Sequence, residues 1–474
     1  MLPKKTWTRR ELLRHSSLGF GALACSELLA QQPVTSPSLT ESKLLRTAHF
    51  KPRAQNVILL FMEGAVSQVD SYDPKPYLSK YHGQDPQQTI GPLEKTQFDN
   101  IGTVMASPWK FRQWGSSGIH ASELFPYTNR QMDDLCIIRS MTSNFPEHTG
   151  ANYFFHSGHG QQGRPSMGSW ATYGLGTQNR NLPSYVVLNG GRIPSGGLDN
   201  FSNGFLPASF QGSLLNAQGT ALANISPNEV QGSVQQIKRD LARKLNLELL
   251  RLSGPVDALE SAIANAELAA RMQIAIPNLV DLSRETKETH TLYGLTSDYE
   301  HTRTYGRACL IARRLVESGV RFIEVTIPRI EGVDRWDAHN DITSNHRANA
   351  LAVDQPIAGL LSDLRRRGLL DQTLVVWSGE FGRTPFAQGG TGRDHNQLGF
   401  SLWLAGGGIK KGMTYGATDE WGYRATENTL TIHDLHATIL SLLGIDHERL
   451  VYRFGGRDIR LTDVYGHVIS DIIA

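Results

Sequence analysis

The chain has 474 residues, and its 47 Lys and Arg residues nearly balance its 45 Asp and Glu residues. The chain therefore has no large excess of positive charge that would attract nucleic acid, and we expect no nucleic-acid partner. The 46 Gly and 21 Pro residues favour many structured loops over a bundle of long helices. Beyond the N-terminal region, no stretch reaches about 18 uninterrupted apolar residues, so no transmembrane segment is expected there.

The N-terminal region resembles an export signal. Arg9 and Arg10 precede a modestly apolar stretch from Leu18 to Ala30, an arrangement typical of the twin-arginine route. We therefore assign residues 1–40 to a signal region and expect a periplasmic or extracellular protein. A basic amphipathic helix is the alternative that the Gly and Ala content disfavours. A lipoprotein anchored through Cys25 is also less favoured, because Ala22 rather than Leu stands three residues before it.

Short, nearly continuous apolar runs recur along the rest of the chain, as in strands covered on both faces. These candidate strands are Asn56–Met62, Leu135–Arg139, Tyr185–Leu188, Phe322–Ile327, Leu374–Trp377 and Phe400–Leu404. Helical patterns lie between them, and the clearest three are 308–316, 360–367 and 435–443, each followed by Gly.

This alternation predicts an α/β fold with a central, largely parallel or mixed sheet sandwiched by helices. We expect a single domain over residues 41–474. The range 216–289 is polar, helix-prone and poor in strand signals. We interpret it as a helical insertion in that domain.

The segment Val375–Leu398 carries the clearest chemical signal. A buried strand runs into Gly379-Glu380, and after a Gly-rich loop the chain returns His395 in Gly-Arg-Asp-His. Acidic and imidazole side chains at the carboxyl edge of a sheet are how α/β enzymes gather metal ligands. Arg383 could neutralise Glu380 without a metal, and that alternative stays open.

The chain resembles the DUF1501 family, whose exported members are grouped with the alkaline phosphatase and sulfatase superfamily. The resemblance covers essentially the whole chain after the signal region. It rests on five motifs: Ser67 to Pro76, Gly163 to Trp170, Trp336-Asp337-Ala338-His339, Gly379 to Pro385 and Gly392-Arg393-Asp394-His395. It implies an alkaline phosphatase-like fold.

The superfamily pattern also implies roles for residues in the first half of this chain. Glu63 stands where the first strand of the superfamily ends in a metal-binding Asp. His148 occupies the nucleophile position, ten residues before Gly158. An imidazole there could bind metal, act as general base or be the nucleophile, and Thr149 is an alternative hydroxyl.

The later motifs complete the implied site. Asp337 and His339 match a metal-binding Asp and His, with Asp334 as a rival donor, and Glu380-Phe381 replaces the usual Asp-His pair. The implied ligands are therefore Glu63, His148, Asp337, His339, Glu380 and His395. Arg383 or Arg393 would face an anionic ester oxygen. Zinc, manganese and calcium all remain open as the divalent metal.

Two functions follow from these residues. The first is an exported metal-dependent hydrolase that acts on phosphate or sulfate esters of a small molecule or glycan. The second is a non-catalytic exported protein that binds a metal or another ligand on the same fold. A formylglycine sulfatase is excluded, because no Cys or Ser lies in the Cys-x-Pro-x-Arg context that it needs. Asp70 and Asp73, beside Pro74, have the pattern of turn or cap residues.

Overall fold

A computed structural model describes residues 47–96, 100–219, 221–222, 232–254 and 256–474. The predicted signal region and Cys25 lie outside these residues. The described residues fall into two compact units. The large unit comprises 47–222 and 268–474 and the small unit 232–267, with the gaps just given.

The described part of the chain contains eighteen strands, which are numbered in chain order. They are β1 (Asn56–Phe61), β2 (Ile101–Val104), β3 (Phe111–Trp114), β4 (Ile119–Ser122), β5 (Leu135–Thr142), β6 (Tyr185–Asn189), β7 (Ser213–Asn216), β8 (Phe322–Thr326), β9 (Thr373–Ser378), β10 (Gly382–Gln388), β11 (Gly392–Asn396), β12 (Phe400–Ala405), β13 (Met413–Tyr415), β14 (Ala417–Thr418), β15 (Ala425–Glu427), β16 (Leu430–Thr431), β17 (Tyr452–Phe454) and β18 (Arg457–Ile459).

Ten α-helices accompany them among the described residues. They are α1 (Pro76–Lys80), α2 (Pro86–Thr89), α3 (His148–Ser157), α4 (Met167–Leu175), α5 (Gly232–Ser253), α6 (Asp257–Val280), α7 (Lys287–Leu292), α8 (Glu300–Glu317), α9 (Ile342–Arg366) and α10 (Ile432–Leu442). Among the described residues, no helix has both the length and the apolar character that a bilayer span needs.

The central sheet has the strand order β13-β5-β12-β9-β1-β8-β6-β7, and β16 also pairs with β5. The strands β7, β6, β8, β1 and β9 are mutually parallel. β12 runs antiparallel to both β9 and β5. All six predicted strands lie in this sheet, and the predicted α/β class with a mixed central sheet is confirmed.

The sheet is buried because β1, at its centre, is apolar on both faces. Ile58 and Leu60 pack in one hydrophobic cluster with residues of α8 and α9. Val57, Leu59 and Phe61 pack in a second cluster with residues of α4 and α10. Alternate residues of a strand point to opposite faces, so helices cover both sides of the sheet.

Two parts of the chain differ from what the sequence predicts. The segment after Glu380 was expected to be a loop, but it forms the hairpin of β10 and β11, which joins β2 in a second sheet. β7 reaches into the start of the range 216–289, whose other described parts hold α5, α6 and the beginning of α7. Short polar strands such as β11 carry no alternating apolar pattern that would reveal them.

Candidate metal centre

Four predicted residues meet at one point of the large unit. His148, Asp337, His339 and His395 each offer one ligand atom, and these atoms all lie within 4.8 Å of one another. Nε2 of His339 is 2.9 Å from Oδ1 of Asp337, and Nε2 of His395 is 3.3 Å from the same oxygen. Nε2 of His148 lies 3.1 Å from Oδ2 of Asp337. Three imidazoles thus converge on one carboxylate.

The four residues come from three separate segments. His148 is the first residue of α3, Asp337 and His339 lie between β8 and α9, and His395 lies in β11. Two glycines allow the segments to approach. A Cβ on Gly64, just after β1, would be 2.6 Å from the backbone nitrogen of Asp337, and one on Gly392 would be 2.0 Å from the carbonyl of His339.

Each of the three imidazoles is anchored through its Nδ1 atom. His148 pairs with Oε1 of Glu380 at 2.6 Å, and His395 donates to the carbonyl of Pro146 at 2.7 Å. His339 pairs with the side-chain oxygen of Gln388. A proton held on Nδ1 leaves Nε2 free to bind a metal, and metal-binding histidines are usually oriented in this way.

Glu380 therefore supports a ligand in this structure instead of pointing into the cluster. It follows the end of β9, where Gly64 donates its N–H to both carboxylate oxygens at 2.9 and 3.2 Å. The side chain is fully buried. Such a carboxylate needs partners, and it has His148 and a backbone amide.

Glu63 is also outside the group of four. Its Oε1 accepts from the backbone N–H of Ser195 at 2.6 Å and is 3.2 Å from Nη1 of Arg335. Burial, together with the negative charge of Glu380, raises the pKa of Glu63 above its usual range. The rival donor Asp334 is exposed and pairs with Arg192 at 3.0 Å.

The two predicted anion-binding arginines are already paired. Arg383 is fully buried, and its Nη2 lies 2.6 Å from Oδ1 of Asp337. It also donates to the carbonyls of Gly64 and Ala65. The expectation that Arg383 faces an ester is therefore corrected: this guanidinium pairs with the carboxylate of Asp337.

Arg393 is corrected for the same reason. Its Nε and Nη2 atoms bind the two oxygens of Asp70 at 2.7 and 3.1 Å, and both side chains are fully buried. Asp70 is thus a buried ion-pair partner, not the simple turn residue that Pro74 suggested. The spacing between Asp70 and Arg393 along the chain gave no signal for this pair.

Hydrogen bonds, nearby charges and burial shift the pKa values of the residues in the centre. Burial alone would raise the pKa of Asp337, but hydrogen bonds from the three imidazoles and the charge of Arg383 lower it well below the usual range. Burial would lower the pKa of His148, yet its bonds to Asp337 and Glu380 raise it to about 9. Burial lowers the pKa of His395 to about 3. Asp337 is consequently an anion at neutral pH.

Position 148, where the resemblance implies a nucleophile, carries an imidazole that is paired on both sides. Both nitrogens of His148 face acidic groups, so the geometry favours a ligand over a nucleophile. Thr149 is exposed, one residue further along α3. The carboxylate of Glu147 caps the helix, accepting from the backbone N–H groups of Thr149, at 2.9 Å, and Gly150. These amides, which could bind an anion, are already satisfied.

Phe381 stands where the resemblance implies a His. Its ring stacks on His148 at 5.1 Å between centroids and lies 4.7 Å from the ring of His395. It therefore packs two imidazoles in place without offering a donor atom. Gln388 and the carbonyl of Pro146 also hold imidazoles in place, through hydrogen bonds. Nothing in the sequence indicated these two groups, because side-chain amides and backbone carbonyls occur throughout any protein.

The donor set fits a divalent transition metal. Three imidazole nitrogens and one carboxylate oxygen match zinc, and the Nε2 atom of His148 is buried 3.1 Å from Oδ2 of Asp337. The side chains of His148, Asp337 and His339 remain 13 to 21 % exposed. A small molecule can therefore approach one side of the centre.

Searches of solved structures return sulfatases and alkaline phosphatases of low identity. The crystal structure of Ps i-CgsB has a TM-score of 0.38 at 11 % identity, over 83 % of this chain and 72 % of that chain. PsFucS1 sulfatase from Pseudoalteromonas sp. gives 0.35 at 11 %, over 84 % and 68 %. Alkaline phosphatase from the Antarctic bacterium TAB5 gives 0.35 at 12 %, over 83 % and 98 %.

The sequence comparisons identify a family and no individual relative. No curated protein matches the chain. The sequence model of the family described as "Protein of unknown function (DUF1501)" matches residues 54–473. That range includes the whole centre and nearly all of the described fold, so the chain belongs to the DUF1501 family.

Proposed function

We propose that this protein is an exported metal-dependent hydrolase of phosphate or sulfate esters, acting at the centre of His148, Asp337, His339 and His395. One observation carries the proposal: three imidazoles, each anchored at Nδ1, direct Nε2 toward a single carboxylate. Preorganised ligands of this kind are expensive to maintain without a bound cation. The partial exposure of three of them supports access for a substrate.

Zinc is the metal that we assign. Imidazole nitrogen suits zinc and other transition ions, whereas calcium takes six to eight oxygen ligands and manganese prefers oxygen as well. When bound, a divalent ion would polarise the ester and lower the pKa of a water molecule. Glu380 fixes the tautomer of His148, and Arg383 keeps Asp337 ionised and in position.

The ester charge needs a cation other than Arg383 and Arg393. Arg335 lies two residues before Asp337, and its side chain is 22 % exposed. It holds Glu63 and donates to Oγ of Ser195 at 2.6 Å. We assign Arg335 to the anionic oxygen of the substrate, because its guanidinium, although paired with Glu63 through Nη1, is partly exposed, whereas Arg383 and Arg393 are fully buried.

The second candidate is a non-catalytic protein that binds metal or another ligand. The capping of α3 by Glu147 favours it, because the helix N-terminus is then closed to an anion. The lack of a Ser, Thr or Cys at position 148 points the same way.

Metal content and turnover separate these functions. Purified protein should contain about one zinc per chain, and His395→Ala should lose it, while the buried His433→Ala outside the centre should retain it. The zinc-loaded protein is then screened with phosphomonoesters, phosphodiesters and sulfate esters. Turnover that His395→Ala abolishes supports the hydrolase. Stoichiometric zinc without turnover of any ester supports the binding protein, and full zinc occupancy in His395→Ala refutes the centre.

Export by the twin-arginine route belongs to the same proposal. It rests on Arg9 and Arg10, which lie outside the described residues. Substituting both with Lys should retain the protein in the cytoplasm of an expressing bacterium, as measured by cell fractionation. Export of the substituted protein at the normal level would contradict this route.

A further inference from the structure

The helix α5 presents a stripe of apolar side chains to solvent. Its members repeat every three or four residues and therefore share one face of the helix. They are Val234, Ile237, Leu241, Leu245, Leu249 and Leu252. Apart from Leu241, each is at least 40 % exposed, and Ile237 and Leu252 reach 67 and 70 %. Contiguous exposed apolar surface of this kind marks an interaction site.

An ion pair shows which side of α5 faces its neighbour. Nε of Arg243 lies 3.9 Å from Oε1 of Glu267 in α6. Residues two apart on a helix point to nearly opposite sides. Arg243 stands two residues from both Leu241 and Leu245, so the stripe faces away from this part of α6.

The charges of α5 indicate what covers the stripe. The helix carries five basic residues against two acidic ones, Asp240 and Glu248. On a 100° helical wheel, Lys244 lies at one border of the stripe and Lys238 lies just inside the other. Glu248 also lies on the stripe face, where its charge is paired with Arg251 at 2.7 Å. A second copy of α5 would bring like charges together, whereas anionic lipid headgroups would neutralise them. With seven charged residues, α5 cannot cross a bilayer.

We propose that the apolar stripe of α5 binds the surface of an anionic phospholipid bilayer, with the helix lying in the plane of the membrane. The apolar side chains enter the boundary between headgroups and acyl chains, and the flanking lysines contact the headgroups. This interaction is separate from the proposed hydrolysis and does not depend on the metal centre.

The test is sedimentation of the full chain with vesicles. One set contains phosphatidylglycerol and phosphatidylcholine, and the other contains phosphatidylcholine alone. The double variant Leu245→Gln and Leu252→Gln removes two members of the stripe. Leu247→Gln is the matched control, because Leu247 is 50 % exposed, as Leu245 is 49 % exposed, but lies off the stripe. All variants share the same N-terminal region, so their differences report on α5.

We expect the unsubstituted protein to prefer anionic vesicles and the stripe variant to bind them at least about tenfold more weakly. The Leu247→Gln control should stay within about twofold, and Lys238→Gln with Lys244→Gln should reduce the anionic preference. Circular dichroism should be unchanged, since exposed leucines contribute little to stability. Equal losses in the stripe and control variants would overturn the proposal, as would equal binding to both vesicle types. A concentration-dependent dimer that only the stripe variant loses, without vesicle binding, would assign the surface to a second copy.

Discussion

The Nδ1 atom of His148 lies 2.6 Å from Oε1 of Glu380, which joins the start of α3 to the end of a central strand. The same carboxylate accepts the N–H of Gly64. Its position is therefore fixed by the sheet, and it in turn fixes the ring of His148. With Nδ1 held by Glu380, Nε2 of that ring lies 3.1 Å from Oδ2 of Asp337.

Replacing this carboxylate should weaken metal binding without removing a ligand. Glu380→Gln keeps the size of the side chain but loses its charge, so we expect zinc affinity to fall about 10- to 100-fold. Glu63→Gln is the matched control, because Glu63 is equally buried near the centre but contacts none of the three imidazoles. Competition with a chelating dye measures both affinities. An equal loss in the two variants would show that Glu380 acts only through charge.

A methyl group added at Gly392 should displace the backbone of His339. Gly392→Ala would place Cβ 2.0 Å from the carbonyl carbon and oxygen of His339, so one backbone segment must move. We expect reduced zinc affinity and a loss of about 2 kcal/mol or more of stability. Gly390→Ala in the same hairpin meets nothing within 4 Å and should change neither quantity. Zinc titration and denaturant unfolding of the two variants provide the comparison, and identical behaviour would contradict the close approach.

The buried pair of Asp70 and Arg393 should support stability and leave metal binding unchanged. Arg393→Met leaves an unpaired carboxylate in the interior, which costs about 3 to 5 kcal/mol. The double variant with Asp70→Asn should recover part of that loss, because no charge is then stranded. Denaturant unfolding of the double-mutant cycle gives the coupling, and strictly additive losses would mean that the pair is not coupled.

Acidification should destabilise the protein through His436. This fully buried ring donates from Nε2 to the carbonyl of Phe155 at 2.7 Å, and its Nδ1 has no partner. Burial lowers the pKa of His436 to about 3, whereas an unfolded histidine titrates near 6.5. Between these values the unfolded chain binds one more proton, so the free energy of unfolding falls as the pH falls.

The slope from His436 is about 1.4 kcal/mol per pH unit between roughly pH 6.5 and 3. His436→Gln should remove it, and the same change at the exposed His120 should not. The measurement is urea unfolding at several pH values, compared by slope and not by absolute stability. A slope that His436→Gln leaves unchanged would assign the acid sensitivity to other groups.

The strands of the sheet were predictable because they are apolar on both faces. The apolar run Asn56–Met62 was predicted to be a strand, and β1 covers nearly all of it. The hairpin of β10 and β11 could not be read, because buried residues such as Arg383, Arg393 and His395 make it look like a polar loop. Its stability comes from ion pairs and hydrogen bonds with distant segments, which leave no local periodicity.

The centre was predictable in its residue types and less so in their roles. All four residues of the cluster could be predicted, His395 from the motif after a buried strand and the other three from the resemblance to the family. The same predictions made Glu63 and Glu380 ligands and Arg383 or Arg393 an anion contact. The sequence alone does not distinguish a metal ligand from a carboxylate that hydrogen-bonds to a ligand, because both are buried acidic residues. The three-dimensional arrangement is needed to distinguish them.

The three segments that supply the ligands have a consequence for biogenesis. His148 emerges from the ribosome long before His395, so a nascent chain holds only an incomplete set of donors. The proposed metal could be bound by all four residues only after the β10 and β11 hairpin has formed. Once loaded, the ion would tie α3 and the hairpin together, while the apolar layers on the two faces of the sheet would persist if it were later removed.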